Sequence, residues 1–448
     1  MHGHAQVGTC PYTATLLGSA DGRVAPSPSG RTRMTSITAA RAFRAQTSRG
    51  YQTMLVGLLG VNMGIVFLDR NAFGLLAPMI QPEFSLSNTQ VGMVTGVLAV
   101  TWALSSFGLA RAADLTGRSK LLLIAGTVTF SVASISSGLA VGFLTLLAAR
   151  ALMGMAEGGL PPVSTHIVTS EVAPERRGLA IGMLSTIGLN AIPLFGPLVF
   201  VGIGTLWGWR HAFWIAGVPG LVMAFLMWRL VRNPKRDAPT SAVPKGSIIP
   251  LVKLRNLRFT MTLATLNMTV IVGVTGFLPL YLVNVLGLSN PMMGVVVTAQ
   301  GAAMIAFGFI GPMLSDHFGR KLAIFGSFTA SMLGLLVLAF SDGSLPLVFA
   351  GAILAGGIAG SSILIMNVIP GESAPLHLEA TAMGFNAAFG EMLGAGAMPV
   401  VIGWAADKAG LGILPWILIG IAVLAILVTF GLRETAPKLV PEFVAQPA

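Results

Sequence analysis

Twelve apolar runs, each long enough to cross a lipid bilayer, fill most of this 448-residue chain and leave room for little else. They fall near 53–79, 90–110, 120–140, 143–167, 178–203, 211–231, 259–284, 292–314, 321–340, 345–369, 380–404 and 411–432. A spanning helix needs about 20 predominantly apolar residues, so the length admits twelve spans with short turns between them. The composition requires a membrane: 54% of residues are hydrophobic, 10% are charged and the mean hydropathy is +0.81. A soluble chain of this make-up lacks the polar side chains to cover its surface.

The basic residues set the orientation. Of 27 Lys and Arg, only Arg210 and Lys408 fall on one face of the expected bundle, and Arg70 and Arg150 lie within spans. The other 23 sit in the N-terminal tail, the even-to-odd loops, the C-terminal tail and adjoining span ends. Positive charge collects on the cytoplasmic side, which predicts an integral multi-pass protein of the cell inner or plasma membrane with both termini cytoplasmic. This placement also accounts for the net charge of +11 without a nucleic-acid partner. The single cysteine, Cys10, excludes an intramolecular disulfide and a cysteine-rich metal site. Neither a cofactor nor a metal is expected, and the six histidines are scattered.

Five segments follow: a disordered cytoplasmic tail over 1–50, a six-helix bundle over 51–232, a basic, proline-bearing cytoplasmic loop over 233–257, a second six-helix bundle over 258–433 and a cytoplasmic tail over 434–448. The first tail has an Arg/Ser bias shared with organellar transit peptides, and Met34 offers an alternative start. The halves repeat. Asp114-Leu-Thr-Gly117-Arg118 follows the second run and Asp316-His-Phe-Gly319-Arg320 the eighth, at an offset of 202. The same offset relates Ala180-Ile-Gly182 to Ala382-Met-Gly384. The chain is read as an all-α membrane protein, with twelve transmembrane helices in two pseudo-symmetric six-helix bundles. Repeats of this kind, with a site between them, are a transporter architecture.

Five ionisable residues interrupt the apolar runs: Asp69, Arg70, Arg150, Glu157 and Glu391. A charge at the bilayer centre costs about 2.5–3.5 kcal/mol on insertion scales, so it faces a partner or an ion pathway. Arg150 and Glu157 are seven residues apart, two helical turns, and share one face. Asp69 and Arg70 are adjacent and diverge by about 100°. Arg70 and Arg150 each fall about four residues from mid-span, on the same side, so two guanidiniums can face one cavity. A guanidinium fork suits a carboxylate or phosphate. One reading makes Arg70 and Arg150 an anion site with Asp69 and Glu157 as protonatable neighbours. The other locks spans one and four by the pairs Arg70–Glu157 and Arg150–Asp69. Glu391, among Gly390, Gly394 and Gly396, either completes the site, acts as a further proton site or is hydrogen-bonded within a tight helix contact. Among the polar residues within spans (Asn190, Asn267, Asn284, Gln300, Asn367 and Asn386), Asn190 and Asn386 are the candidate substrate contacts. The rest are expected to form interhelical hydrogen bonds.

On these motifs the chain resembles the major facilitator superfamily over about residues 51–433. The Asp-x-x-Gly-Arg sequences look like that family's loop signature, with Ala110, Pro312 and Leu115 as departures. The resemblance is closer to the anion:cation symporter branch. It is carried by Leu68-Asp69-Arg70, Arg150 with Glu157, Pro174-Glu-Arg-Arg177-Gly, Gly208-Trp-Arg210 and Leu278-Pro-Leu-Tyr281-Leu, with Phe67 where a tyrosine is usual. The resemblance implies a monomeric secondary transporter that takes up a small organic anion with protons. Arg70 and Arg150 would contact substrate, and Asp69 and Glu157 would couple to protons. Asp114, Arg118, Asp316 and Arg320 are read as cytoplasmic gate residues that pair with helix ends. A proton-coupled exporter and a spinster-like lipid transporter share much of this pattern. A membrane enzyme is the alternative from another class, although the chain has no Gly-x-x-x-x-Gly-Lys-Ser/Thr, His-Glu-x-x-His or Gly-x-Ser-x-Gly sequence.

Overall fold

The computed structural model describes residues 48–232, 251, 253–375 and 378–440. The N-terminal tail with Cys10 and Met34, most of the central loop and the last eight residues lie outside the described residues. Among the described residues every element is helical: α1 Arg49–Glu83, α3 Ser119–Gly138, α4 Phe143–Glu171, α5 Pro174–Trp207 and α6 Trp209–Leu230, then α7 Arg255–Asn284, α8 Asn290–Phe318, α9 Arg320–Ala339, α10 Leu345–Ser373, α11 Thr381–Ala409 and α12 Leu411–Thr429. These eleven are long and apolar enough to cross a membrane. α2, Asn88–Thr116, is an unbroken 29-residue helix over the second apolar run.

The ends of α2 follow from local chemistry. Ser87 Oγ accepts from Gln90 N at 3.1 Å while Ser87 N donates to Gln90 Oε1 at 3.0 Å, a reciprocal cap that starts the helix. Gly117, the glycine of the repeated motif, ends it at φ 63°, and its counterpart Gly319 ends α8 at φ 98°. Side chains rarely adopt such angles, so the motif needs glycine there.

Six helices are interrupted within the membrane. α1 breaks at Asn71, whose Nδ2 donates to the Phe67 carbonyl at 3.0 Å. α4 turns at Gly158 and Gly159 ahead of Pro161 and Pro162, which have no amide hydrogen to return to the preceding turn. π-helical stretches sit at Thr186–Ala191 in α5, Gly273–Phe277 in α7, Leu364–Val368 in α10 and Gly390–Ala397 in α11. Each is followed within a few residues by proline.

Within each half, glycines let the helices touch backbone to backbone. A Cβ at Gly158 would strike Trp102 O of α2, and one at Gly360 would meet Phe307 O of α8. These two positions are again 202 apart. The halves meet along α2–α11, α5–α8 and α1–α7, from the membrane surface at the α1–α2 loop to about mid-span. A Cβ at Gly92 would hit Pro399 O, and one at Gly96 would hit Gly396 O. At that surface Asp407 of α11 caps the α2 N-terminus, accepting from Asn88 N at 2.7 Å and Thr89 N at 2.9 Å. A carboxylate at a helix N-terminus meets its free amides and positive dipole end. Asn284 of α7 donates to Gln81 Oε1 of α1 at 3.2 Å. Toward the opposite surface the same helix pairs separate. A Cβ at Gly108 or Gly384, or at Gly182 or Gly308, would meet nothing within 4 Å. The molecule is sealed on the α1–α2 side and splayed on the side of the central segment.

The seal is testable by accessibility. In a Cys10→Ser background, Thr95→Cys should be shielded from an impermeant maleimide added on the α1–α2 side. Adding Gly92→Val should expose it. Equal labelling with and without Gly92→Val would show that the α2–α11 contact is not the seal.

Candidate functional site

About 490 Å³ of empty space, continuous with solvent, lies between the halves beside this seal. Its lining includes Arg70, Asn71 and Phe73 of α1, Thr95 of α2, Arg150 of α4 and Thr275 of α7. The break at Asn71, the π stretch of α7 and, through Ala395, that of α11 border it, so three of the six interruptions fall where the backbone faces a cavity rather than lipid.

The two arginines share this space but differ in their surroundings. Arg150 is 1% exposed. Its guanidinium lies over the Phe213 ring at 4.8 Å and the Phe73 ring at 5.7 Å. Nη1 donates to the Asp69 main-chain carbonyl at 3.4 Å, while Nε and Nη2 have no hydrogen-bond partner. Arg70 lies over Trp102 at 4.9 Å, and its Nη2 pairs with Glu391 Oε2 of α11 at 2.8 Å. The side chains of that pair are 17% and 13% exposed, so both remain open to the cavity.

Asp69 and Glu157 are fully buried, and none of their four carboxylate oxygens has a hydrogen-bond partner. Ser134, a neighbour of Asp69, donates instead to Phe213 O at 3.0 Å. Glu157 lies within electrostatic reach of Asp69, Arg70 and Arg150. All five intramembrane charges therefore gather at one place. The ion pairs expected under the locking alternative, Arg70–Glu157 and Arg150–Asp69, are not formed. Arg70, diverging from Asp69 around the helix, reaches across to α11, and Arg150 is held flat by two aromatic rings.

The asparagines divide otherwise. Asn386 is fully buried, donates to Ile365 O of α10 at 2.7 Å and does not line the cavity. Asn190 sits half-buried in the π stretch of α5, also off the cavity lining. Asn267 joins α7 to α10 through Ser361 Oγ at 3.0 Å, and Gln300 joins α8 to α7 through Val274 O at 3.3 Å.

The repeated loop motif is built up in the second half. Arg320 pairs with Asp316 at 2.5 Å and with Glu372 of α10 at 2.9 Å. Glu434, beyond α12, accepts from Arg320 N at 2.8 Å and Lys321 N at 3.2 Å, capping α9. Burial alone would raise the Glu434 carboxyl. Amide hydrogen bonds from Arg320, Ala436, Lys321 and Thr435 outweigh it and hold the group below its usual range. In the first half Arg118 is exposed, and the Asp114 side chain lies outside the described residues. Glu372, Glu434, Asp407 and the ring partners Phe73, Trp102 and Phe213 escaped the sequence reading. The acids have one signal in common: each stands alone at the end of an apolar run.

The comparisons with known proteins agree with this architecture. The Major Facilitator Superfamily profile matches residues 59–293 and 262–448. The chain is 30% identical over 315 residues to the "Hexuronate transporter" of Bacillus subtilis, covering 67% of this chain and 72% of that one. It is 27% identical over 345 residues to the "Probable 4-methylmuconolactone transporter" of Cupriavidus pinatubonensis, covering 74% and 78%. Among solved structures, a bacterial homologue of the human lysosomal transporter Spinster, inward-facing and occupied, superposes with a TM-score of 0.74 at 20% identity, over 90% of this chain and 100% of that one. At that identity the likeness is one of fold.

Arg150 lies within electrostatic reach of the buried carboxyls of Asp69 and Glu157. Removing one member of a buried charge group leaves the others uncompensated, which has cost about 3–5 kcal/mol. Arg150→Met should therefore melt below the parent in detergent, and adding Asp69→Asn and Glu157→Gln should recover part of the loss. A single variant that melts at or above the parent temperature would show that the guanidinium does not hold α1 and α4 together.

Proposed function

The chain belongs to the Major Facilitator Superfamily of membrane transporters, and on that premise we propose that it carries a small organic anion, a carboxylate or sugar acid, inward together with protons. Family membership removes the membrane-enzyme alternative. The observation that carries the proposal is the pair of guanidiniums, from α1 and α4, on one cavity between the halves. Arg150, with Nε and Nη2 buried and unpartnered, keeps donors that a carboxylate reaching them from the cavity would take up. The relative named for hexuronate, a sugar acid with one carboxylate, supports that substrate class.

Asp69 and Glu157 carry the protons in this reading. Two carboxyls buried without hydrogen bonds beside a guanidinium respond to any charge that enters. An arriving carboxylate adds negative charge at Arg150, and proton uptake offsets it. The halves then rock about the filled site. With the central segment cytoplasmic by the positive-inside rule, the sealed α1–α2 side is external and the site is open to the cytoplasm. In this state the partners of Arg320 among the described residues lie in the second half. Asp114, Arg118, Asp316 and Arg320 therefore act as a gate in the opposite state, when the cytoplasmic ends close. Asn386, which ties α10 to α11, is assigned no contact with substrate.

Proteoliposomes with an imposed inward proton gradient test the proposal with labelled glucuronate, galacturonate and sulfoacetate. At least one should accumulate. Arg150→Ala should weaken its binding about 10²-fold, the loss of one or two charge-assisted hydrogen bonds at about 1.5–3 kcal/mol each. Asp69→Asn and Glu157→Gln should keep substrate exchange and lose accumulation. Accumulation at the parent level in both variants would remove these acids from the coupling.

A further inference from the structure

Arg70 and Arg150 meet an incoming anion on unequal terms. Arg150 has two guanidinium nitrogens with no partner. The guanidinium of Arg70 already holds a carboxylate, Glu391 Oε2, at 2.8 Å. That carboxylate comes from the other half of the molecule, 321 residues away. It leaves α11 near the start of the π-helical stretch Gly390–Ala397, close to the seam where Gly396 meets Gly96. Trp102 covers one face of the Arg70 guanidinium, and the carboxylate takes Nη2 at its edge. A substrate carboxylate cannot use that nitrogen, and so cannot bind the fork bidentately through it, while Glu391 occupies it.

We propose that Glu391 is a built-in substitute for the substrate anion: it neutralises Arg70 and bridges the halves in the empty carrier, and substrate displaces it. The inference rests on the anion site proposed above and adds to it the device that manages that site between cargoes. Without an anion, two guanidiniums would face one low-dielectric cavity as the halves close, and like charges repel there. Glu391 neutralises Arg70, which removes most of that repulsion, and ties α1 to α11, so the unloaded protein can complete its return. The same contact makes Glu391 a competitor for substrate. The carrier gives up affinity for its cargo and gains the ability to reset empty.

This role separates from two others. A proton-coupling Glu391 would, on neutralisation, lose gradient-driven accumulation with its affinity unchanged. A purely structural Glu391 would leave the ratio of exchange to net uptake unchanged. The substitute role moves both affinity and that ratio, in known directions.

The experiment uses the full chain, Cys10→Ser, with Thr95→Cys as reporter, beside Glu391→Gln and the charge exchange Arg70→Glu/Glu391→Arg. The first readout needs no substrate: impermeant-maleimide labelling of the ligand-free protein from the α1–α2 side. Glu391→Gln should label several-fold faster than the parent, and the charge exchange should return to the parent rate. The second uses glucuronate in proteoliposomes without the reporter substitution. Glu391→Gln should bind it about tenfold tighter, keep exchange near the parent rate and lose about tenfold in net uptake. Unchanged labelling in Glu391→Gln, or faster labelling that the charge exchange does not reverse, would overturn the bridge. Unchanged or weaker glucuronate binding in Glu391→Gln would overturn the competition. A parent that neither binds nor carries glucuronate would count against the substrate class proposed above, and the labelling arm would still decide the bridge.

Discussion

Inside a bilayer, backbone amides and carbonyls have no water to bond with, and the rest of this structure follows from how they are satisfied. Uninterrupted helix does this along α2, α3, α6, α8, α9 and α12. The remaining six helices break, and proline follows within a few residues of most breaks. Freed groups are tolerated only where other helices or a cavity take them up. The Phe67 carbonyl, bonded by Asn71, is one case. The breaks of α1, α7 and α11 border the space that Arg70 and Arg150 share, so irregular backbone and costly side chains occur together there.

That concentration has an electrostatic consequence. Two arginines and three acids lie together with one short ion pair among them, Arg70–Glu391. A fully paired cluster would be stable and inert. Here Asp69, Glu157 and two nitrogens of Arg150 have no hydrogen bond, so the cluster keeps unused hydrogen-bonding capacity within the bilayer. The aromatic rings at Phe73, Phe213 and Trp102 hold the guanidiniums without neutralising them, a milder attraction than an ion pair.

The spans, their number and the five embedded charges were legible in the sequence because each rests on composition over a window or on a charge out of place. The second repeat motif was legible for the same reason: Gly319 stands where only glycine is comfortable, and the spacing to Asp316 is local. What Arg70 holds was not legible. Its partner depends on how α1 and α11 are set against each other across the two halves, and no local pattern encodes that. That Asn386 turns to α10 was not legible either, since a mid-span asparagine five residues before an acid looks the same whether it faces the cavity or a neighbouring helix. Glu434 was invisible because it lies past the last apolar run and caps a helix more than a hundred residues earlier.

The seam between the halves has a property that goes beyond closeness. Along α2–α11 the closest approaches are of glycines to main-chain carbonyls: Gly92 against Pro399, Gly96 against Gly396, Gly403 against Asn88. Most buried interfaces freeze side-chain rotamers when they form and release them when they part, at roughly 0.5–2 kcal/mol for each long side chain. Glycine has no rotamers to lose. Parting these helices sets few side chains free, and rejoining them requires few to be immobilised. The seam works as a bearing, and the balance between its joined and parted states is left to the charges it encloses and to the surrounding lipid.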